Sequence, residues 1–202
     1  MRTIRTATAG LVLAVSLAAG SVGLAGAASA ASAQPGPPHV KAYPTWQAAQ
    51  KAAGFQLLKP ANTVGLRRHR GILVVGCPRP SRAAQSRHRT VLAMYGALPR
   101  PRRLGTMINF VQRGATRGPC PGPFRGPRGK VIARVKVDGA IAVLTRAHAS
   151  VCFKPVSGRP RCRSVELLQL RWTAHRHSYL VMGLRLRPAR VIRFARSLVP
   201  VG

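Results

Sequence analysis

Acidic residues are almost missing from this 202-residue sequence, which has two Asp and Glu residues against 34 Lys and Arg residues. Asp138 stands before a glycine in a turn pattern, and Glu166 stands alone in a strand pattern. Paired-carboxylate glycosidase sites, carboxylate cages for hard metals and Ser-His-Asp triads all require more acids than this. We therefore predict a protein that is not an enzyme, with no catalytic residue and no cofactor. For Glu166 we expect an arginine partner or a solvent-exposed position.

Motifs for metals and nucleotides are also lacking. No Cys pair has CxxC spacing, and no phosphate-binding glycine motif follows a strand, so we predict neither a metal site nor a nucleotide site. His175 and His177 have the spacing of two ligands, but no third ligand lies near them in sequence, and an exposed turn is the favoured interpretation. Aromatic residues make up 5% of the chain and do not cluster with the charges, which gives little support to sequence-specific nucleic-acid binding.

The N-terminus has the layout of a secretory signal peptide. Two arginines precede a long uncharged run, and an Ala-Ser-Ala signature ends at Ala33. We predict a signal peptide over residues 1–33 that is cleaved near Ala33, and a secreted, extracytoplasmic location in a bacterial cell envelope. The alternative is that the run is retained as a membrane anchor, since it is long enough to span a bilayer.

Four cysteines fit that compartment, because an even count in an exported chain indicates two disulfides with three possible connectivities. Cys152 and Cys162 flank a Pro/Gly-containing loop that brings them opposite each other. We therefore prefer a Cys152–Cys162 bond together with a Cys77–Cys120 bond. The alternative is that one or more thiols are free.

Residues 34–43 are rich in proline and predict a linker, and residues 44–202 predict one domain. Residues 45–54 predict a short helix, with Thr45 as N-cap and Gly54 after its last turn. Residues 187–199 predict a closing helix, whose apolar residues, Leu198 among them, recur at helical spacing between arginines that we expect to face water or an anionic envelope surface. We predict that the segment 56–65 is an extended connector.

Between the helices, short apolar runs bounded by turns predict about seven strands. Residues 130–137 alternate, with Arg134 and Lys136 on one side of the strand and valines on the other. Asp138-Gly139 is the strongest hairpin signal in the chain. Helices at both ends of a run of strands predict an α+β fold: a curved antiparallel sheet with the N-terminal and C-terminal helices packed on one face.

Several short segments within this predicted fold have a recognisable pattern: AAGFQLLKP, VKVDGAIAVL, LLQLRW followed by SYLVMGL, and VIRFARSLV. In these segments the chain resembles an uncharacterised extracytoplasmic domain family, a domain of unknown function found in bacterial lipoproteins and in the outer domains of anti-sigma factors. The resemblance covers roughly residues 45–199 and rests on short, mostly structural motifs. The arginine load, the cysteines and the segment RGPCPGPFRGPRG depart from the family pattern. The resemblance implies an envelope module for sensing, binding or structure, and it transfers no catalytic residue.

The formal net charge of +32 makes the protein highly basic, and 28 of its cationic residues are arginines. Such a chain attracts polyanions. The basic segments between predicted strands supply six candidate anion-binding residues: Arg67, Arg68, Arg70, Arg100, Arg102 and Arg103. Arginine forks suit phosphate and carboxylate groups. The alternative is that these are solvated loops whose arginine content reflects composition alone.

The leading hypothesis is a secreted, non-enzymatic domain that binds or senses an anionic component of the cell envelope. The partner classes are a wall polymer, lipid headgroups or an acidic protein. Two other hypotheses stay open. One is a secreted enzyme that uses His and Arg without a carboxylate. The other is a cationic protein that acts on anionic membranes or extracellular nucleic acid.

Overall fold

A computed structural model describes residues 39–69, 71–76, 89–97, 104–114, 127–153 and 161–202. In this part of the chain, most strands coincide with alternating or continuous apolar runs, and two amphipathic segments form helices. The elements in chain order are β1 (His39–Tyr43), α1 (Trp46–Ala53), β2 (Leu58–Pro60), β3 (Ile72–Gly76), β4 (Thr90–Gly96), β5 (Met107–Arg113), β6 (Lys130–Val137), β7 (Ala140–Phe153), β8 (Arg161–Ala174), β9 (His177–Leu184), α2 (Pro188–Arg196) and β10 (Leu198–Pro200).

Eight of these strands form one antiparallel sheet in the order β1-β3-β4-β5-β9-β8-β7-β6. Strands β2 and β10 form a separate antiparallel pair. The coarse prediction, a mostly antiparallel sheet combined with helices, is confirmed. The predicted size of the sheet is wrong, because eight strands are present where about seven were expected.

Two segments predicted to lack secondary structure form strands. Residues 39–43 lie within the predicted linker but pair with β3, so the second half of that linker belongs to the sheet. The connector contains β2, which pairs with β10 at the C-terminus. Both segments are short and contain or adjoin proline, and their partners lie far away in sequence, so no local pattern marks them.

Helix α1 begins and ends where its capping residues predict. The Thr45 side chain accepts a hydrogen bond from the Ala48 N–H at 3.1 Å, and Gly54 adopts φ = 75°, a conformation that costs glycine little. The predicted Asp138-Gly139 turn is also confirmed, with φ = 50° and 72° at the two residues. Both values are positive, as a type I′ hairpin requires.

The main apolar cluster contains buried side chains from both helices. Phe194 of α2 packs edge-on against Tyr95 and Phe110, with ring centroids 5.2 and 5.9 Å away. Helix α2 also approaches β9 closely. A Cβ on Gly183 would lie 2.7 Å from Cγ2 of Val191, so only glycine allows this packing.

Alternate residues along each strand point to opposite sides of the sheet. We call the side whose residues join the helix residues in the main cluster the first face; Phe110, Leu144 and Leu170 lie there. The other side is the second face, where Leu92, Val111 and Leu180 form a smaller cluster without helix residues. In the part of the chain that the structure describes, no helix is long and apolar enough to cross a membrane.

Candidate anion-binding face

The loop arginines predicted to bind anions are described only in part. Arg67 and Arg68 are exposed beside the end of β4, where the Gly96 N–H donates to the Arg67 carbonyl at 2.8 Å. The Arg68 guanidinium donates to the Pro44 carbonyl at 3.0 Å, so this exposed side chain also anchors the backbone at Pro44. The four other candidates, Arg70, Arg100, Arg102 and Arg103, lie outside the described residues, and their role stays a prediction.

Both carboxylates of the chain lie beside basic side chains. Glu166 lies 3.5 Å from the Arg146 guanidinium, which confirms the expected arginine partner. Asp138 lies 3.4 Å from Nε2 of His175. Since these are the two acids of the whole sequence, each already lies beside a basic side chain inside the protein.

His175 and His177 occupy different environments. His175 lies exposed in the β8–β9 turn, as predicted, whereas the His177 ring stacks on Phe55 with centroids 5.1 Å apart. Burial lowers the pKa of His177, opposed by a hydrogen bond with the Arg113 backbone and assisted by the nearby His175. Burial raises the pKa of the neighbouring Tyr179, and the Asp138 charge adds to this effect. Within the described ranges, no group of three His, Cys, Asp or Glu side chains is placed to hold a metal.

The second face brings together four cations from three separate strands. Arg113 of β5 pairs with Ser178 of β9. Arg171 of β8 pairs with Leu180, two residues further along β9. On the far side of β7, Arg134 pairs with Val143 and Lys136 pairs with Ile141. We call the set Arg113, Arg134, Lys136 and Arg171 the cationic face.

The registers fix the spacing of these cations. Arg171, Val143 and Arg134 occupy one row across β8, β7 and β6. Neighbouring strands lie about 4.8 Å apart, so the Cα atoms of Arg171 and Arg134 are separated by roughly 10 Å. Arg113 lies on β5, two strands beyond Arg171, which extends the cationic face across five adjacent strands.

A groove of about 630 Å³ lies within this face. Its lining combines two guanidinium groups, two hydroxyl side chains and apolar side chains, among them Arg113, Arg171, Thr173, Ser178, Val111 and Leu180. The Arg171 guanidinium donates to the Oε1 of Gln169, which is fully buried, and Gln169 in turn donates to the Pro127 carbonyl at 3.0 Å. These bonds hold Arg171 in position at the groove wall. Guanidinium and hydroxyl donors above an apolar floor suit an anion that also carries apolar groups.

Exposed apolar side chains continue from the groove toward β6. Ile141 is 57% exposed and Val131 is 43% exposed, and Val143 lies between them half-buried. Because Val131 pairs with Thr145, all three residues share the second face along β7 and β6. We call Ile141, Val143 and Val131 the apolar stripe.

Most of this arrangement was not visible in the sequence. The alternation in β6 placed Arg134 and Lys136 together correctly. It placed Val131 on the opposite side, which is wrong, because the β6–β7 register shifts between Val131 and Ala133. Arg113 and Arg171 come from β5 and β8, and nothing local relates them to β6. The strand order β5-β9-β8-β7-β6 is what joins the four. The available signal was an arginine at the second-face parity in β5, β6 and β8, which becomes informative only when the order of the strands is known.

The predicted Cys152–Cys162 disulfide is confirmed. The two residues are directly opposite in the β7–β8 ladder, so the strands themselves place the sulfur atoms together. Beyond Arg146 and Leu167, β7 and β8 pair only with each other, and the disulfide closes this two-stranded arm near its end. Cys77 and Cys120 lie outside the described residues.

No protein-family model, curated protein or solved structure matches the chain.

Proposed function

We propose that this protein is a secreted, non-enzymatic domain of the cell envelope that binds or senses an anionic component through its cationic face. One observation carries the proposal. Four cations from three strands, Arg113, Arg134, Lys136 and Arg171, share one face of the sheet, while both acids of the chain lie beside basic side chains. The field at this face is therefore positive, and it attracts phosphate and carboxylate groups.

The finer architecture belongs to the same proposal. A curved sheet with both helices on one face leaves the second face for a ligand. The shared cluster of Val191 and Phe194 from α2 with Trp46 and Ala49 from α1 supports this arrangement. Membership of the extracytoplasmic domain family is likewise a prediction, since it rests on the sequence segments alone.

The anion-binding part is tested by titrating the oxidised protein with inorganic polyphosphate over a salt series. The double variant Arg134→Gln/Lys136→Gln removes two charges from the cationic face. Its matched control, Lys51→Gln/Arg193→Gln, removes two charges from exposed positions on the helices. We expect the first variant to weaken binding at least about tenfold, because charge-assisted hydrogen bonds contribute about 1.5–3 kcal/mol each. We expect the control to bind almost as the wild type does.

Equal weakening in both variants would show that total charge alone attracts the polyanion, and would contradict a localised face. A salt dependence that is the same in the wild type and in Arg134→Gln/Lys136→Gln would contradict it too. Each lost ionic contact reduces the slope of log affinity against log salt by about one.

The secreted location is tested on the exported protein by intact-mass measurement. The Ala-Ser-Ala signature predicts a mature chain that begins near Gln34. A mass that includes Met1 would contradict cleavage and favour the retained anchor.

A further inference from the structure

Exposed apolar side chains stand directly beside the cations of the second face. Large apolar residues are otherwise mostly buried in this domain, yet Ile141 and Val131 leave 57% and 43% of their surface in contact with water. Ile132, at the irregularity in the β6–β7 pairing, is 36% exposed as well. Three of the large exposed apolar residues thus lie at one edge of the sheet.

Two residues of the apolar stripe, Ile141 and Val143 on β7, lie between cations of the two neighbouring strands. Four residues separate Ile141 from Thr145, the partner of Val131, so the stripe is roughly 14 Å long. Arg171 lies one strand away on β8, and Arg134 and Lys136 lie one strand away on β6. The result is an apolar centre with one guanidinium on the β8 side and a guanidinium and an ammonium group on the β6 side.

We propose that this surface docks onto an anionic lipid bilayer, with Ile141 and Val131 entering the boundary between headgroups and acyl chains. The inference rests on the proposed function and names the anionic component. Arg134, Lys136 and Arg171 contact the lipid phosphates while these two apolar side chains are inserted. Each cation at an anionic leaflet strengthens binding about fivefold, and an inserted apolar side chain adds to this.

The apolar stripe is what distinguishes a bilayer from a soluble polyanion. A wall polymer or polyphosphate gains nothing from Ile141, because its charged groups are hydrated and it has no acyl region. A bilayer offers both a negative surface and an apolar layer within 5–10 Å of it, as an estimate for interfacial elements. The surface presents both complementary features side by side.

The test is co-sedimentation of the full, oxidised protein with vesicles of phosphatidylcholine containing about 30% phosphatidylglycerol, a fraction chosen to give a surface potential of tens of millivolts. Ile141→Ser is compared with Val40→Ser, a matched control that is 56% exposed on β1 at the opposite edge of the sheet. We expect Ile141→Ser to lower the partition coefficient at least about threefold, since it removes part of the transfer free energy of an isoleucine. Val40→Ser leaves it unchanged.

Two further measurements separate the contribution of the cations to vesicle binding from the contribution of the inserted apolar side chains. Arg134→Gln/Lys136→Gln should lower the partition coefficient about 25-fold, at about fivefold per cation. Ile141→Trp should raise it, and the emission of the new tryptophan should shift to shorter wavelength on adding vesicles, because indole rings favour the membrane interface. Val40→Trp should show neither change.

The outcomes separate this inference from the proposed function. If Ile141→Ser and Val40→Ser bind vesicles equally and the emission of Ile141→Trp does not move, membrane docking is overturned. Polyphosphate binding that still depends on Arg134 and Lys136 would then leave the proposed function standing. If the wild type binds neither vesicles nor polyphosphate, both are overturned.

Discussion

The buried amide of Gln112 holds the β2–β10 pair against the main sheet, and its removal should destabilise the protein strongly. The side chain is fully buried. Its Oε1 accepts from the Leu58 N–H at 2.7 Å, and its Nε2 donates to the Leu58 carbonyl at 2.7 Å. Val201 meanwhile donates to the Leu57 carbonyl at 2.9 Å on the other side of the short strand. Gln112 therefore acts as a backbone-like partner for β2.

Gln112→Met keeps the size and shape of the side chain but removes both bonds. It leaves two buried backbone groups of Leu58 without this partner, at about 1–3 kcal/mol each. Burying a thioether in place of an amide offsets about 1–2 kcal/mol of this cost. We expect the free energy of unfolding to fall by about 2–4 kcal/mol, and Tm to fall by roughly 5–12 °C for a domain of this size.

The assay is urea denaturation followed by tryptophan fluorescence, since Trp46 and Trp172 are both buried. Gln47→Met, on the exposed surface of α1, is the matched control and should change stability by less than about 0.5 kcal/mol. A loss in Gln112→Met no larger than in Gln47→Met would refute the assigned role of the buried amide.

Three further predictions concern packing, pH and the arm. Gly183→Ala should cost about 1–3 kcal/mol through its contact with Val191, and Val191→Ala should relieve part of that cost. Because burial lowers the pKa of His177, the unfolded chain binds the proton more readily; stability should therefore fall as pH drops below about 6.5. His177→Phe, measured by urea denaturation at several pH values, should flatten that dependence. Replacing Cys152 and Cys162 by serine should lower the free energy of unfolding by about 2–3 kcal/mol, given the sequence separation of 10.

Each of these has an outcome that contradicts it. An unchanged urea midpoint in Gly183→Ala would show that α2 moves away at no cost. An equal pH dependence in wild type and His177→Phe would show that other groups govern acid stability. An oxidised and a serine-substituted arm of equal stability would show that the disulfide adds nothing to the strand pairing.

The RPARVIRFAR segment shows how far local patterns reach. Its apolar spacing predicted a packing helix, and Val191, Phe194 and Ala195 are indeed buried. The prediction was wrong for Leu198, because the helix ends at Arg196 and Leu198 begins β10, where it pairs with Pro60. Its arginines were expected to face water or an anionic surface. Arg193 and Arg196 are exposed, as expected. The Arg190 guanidinium also donates to the Val64 carbonyl, and Arg196 donates to the Lys136 carbonyl at 3.3 Å. Two of the charges thus tie the helix to distant backbone, an effect that depends on what packs beside the helix.

The position of a hairpin turn could be predicted only where its central residues are typical of that turn type. Asp138-Gly139 marked its hairpin because both residues tolerate positive φ. The β8–β9 hairpin has the same positive φ values, 48° at His175 and 63° at Arg176, without an Asn, Asp or Gly. Here the pairing of Ala174 with His177 imposes the conformation, and the local sequence does not favour it.

By itself, the sequence determined the caps of α1, most strands, the Cys152–Cys162 partnership and the scarcity of acids, because each depends on a residue and its near neighbours. Tertiary structure alone decided the edge strand β1, the β2–β10 pair and the cationic face. Those features depend on which strands lie side by side, and the free energy of that choice comes from burying residues far apart in the chain. Arg113 and Arg171 share a surface because β9 lies between their strands.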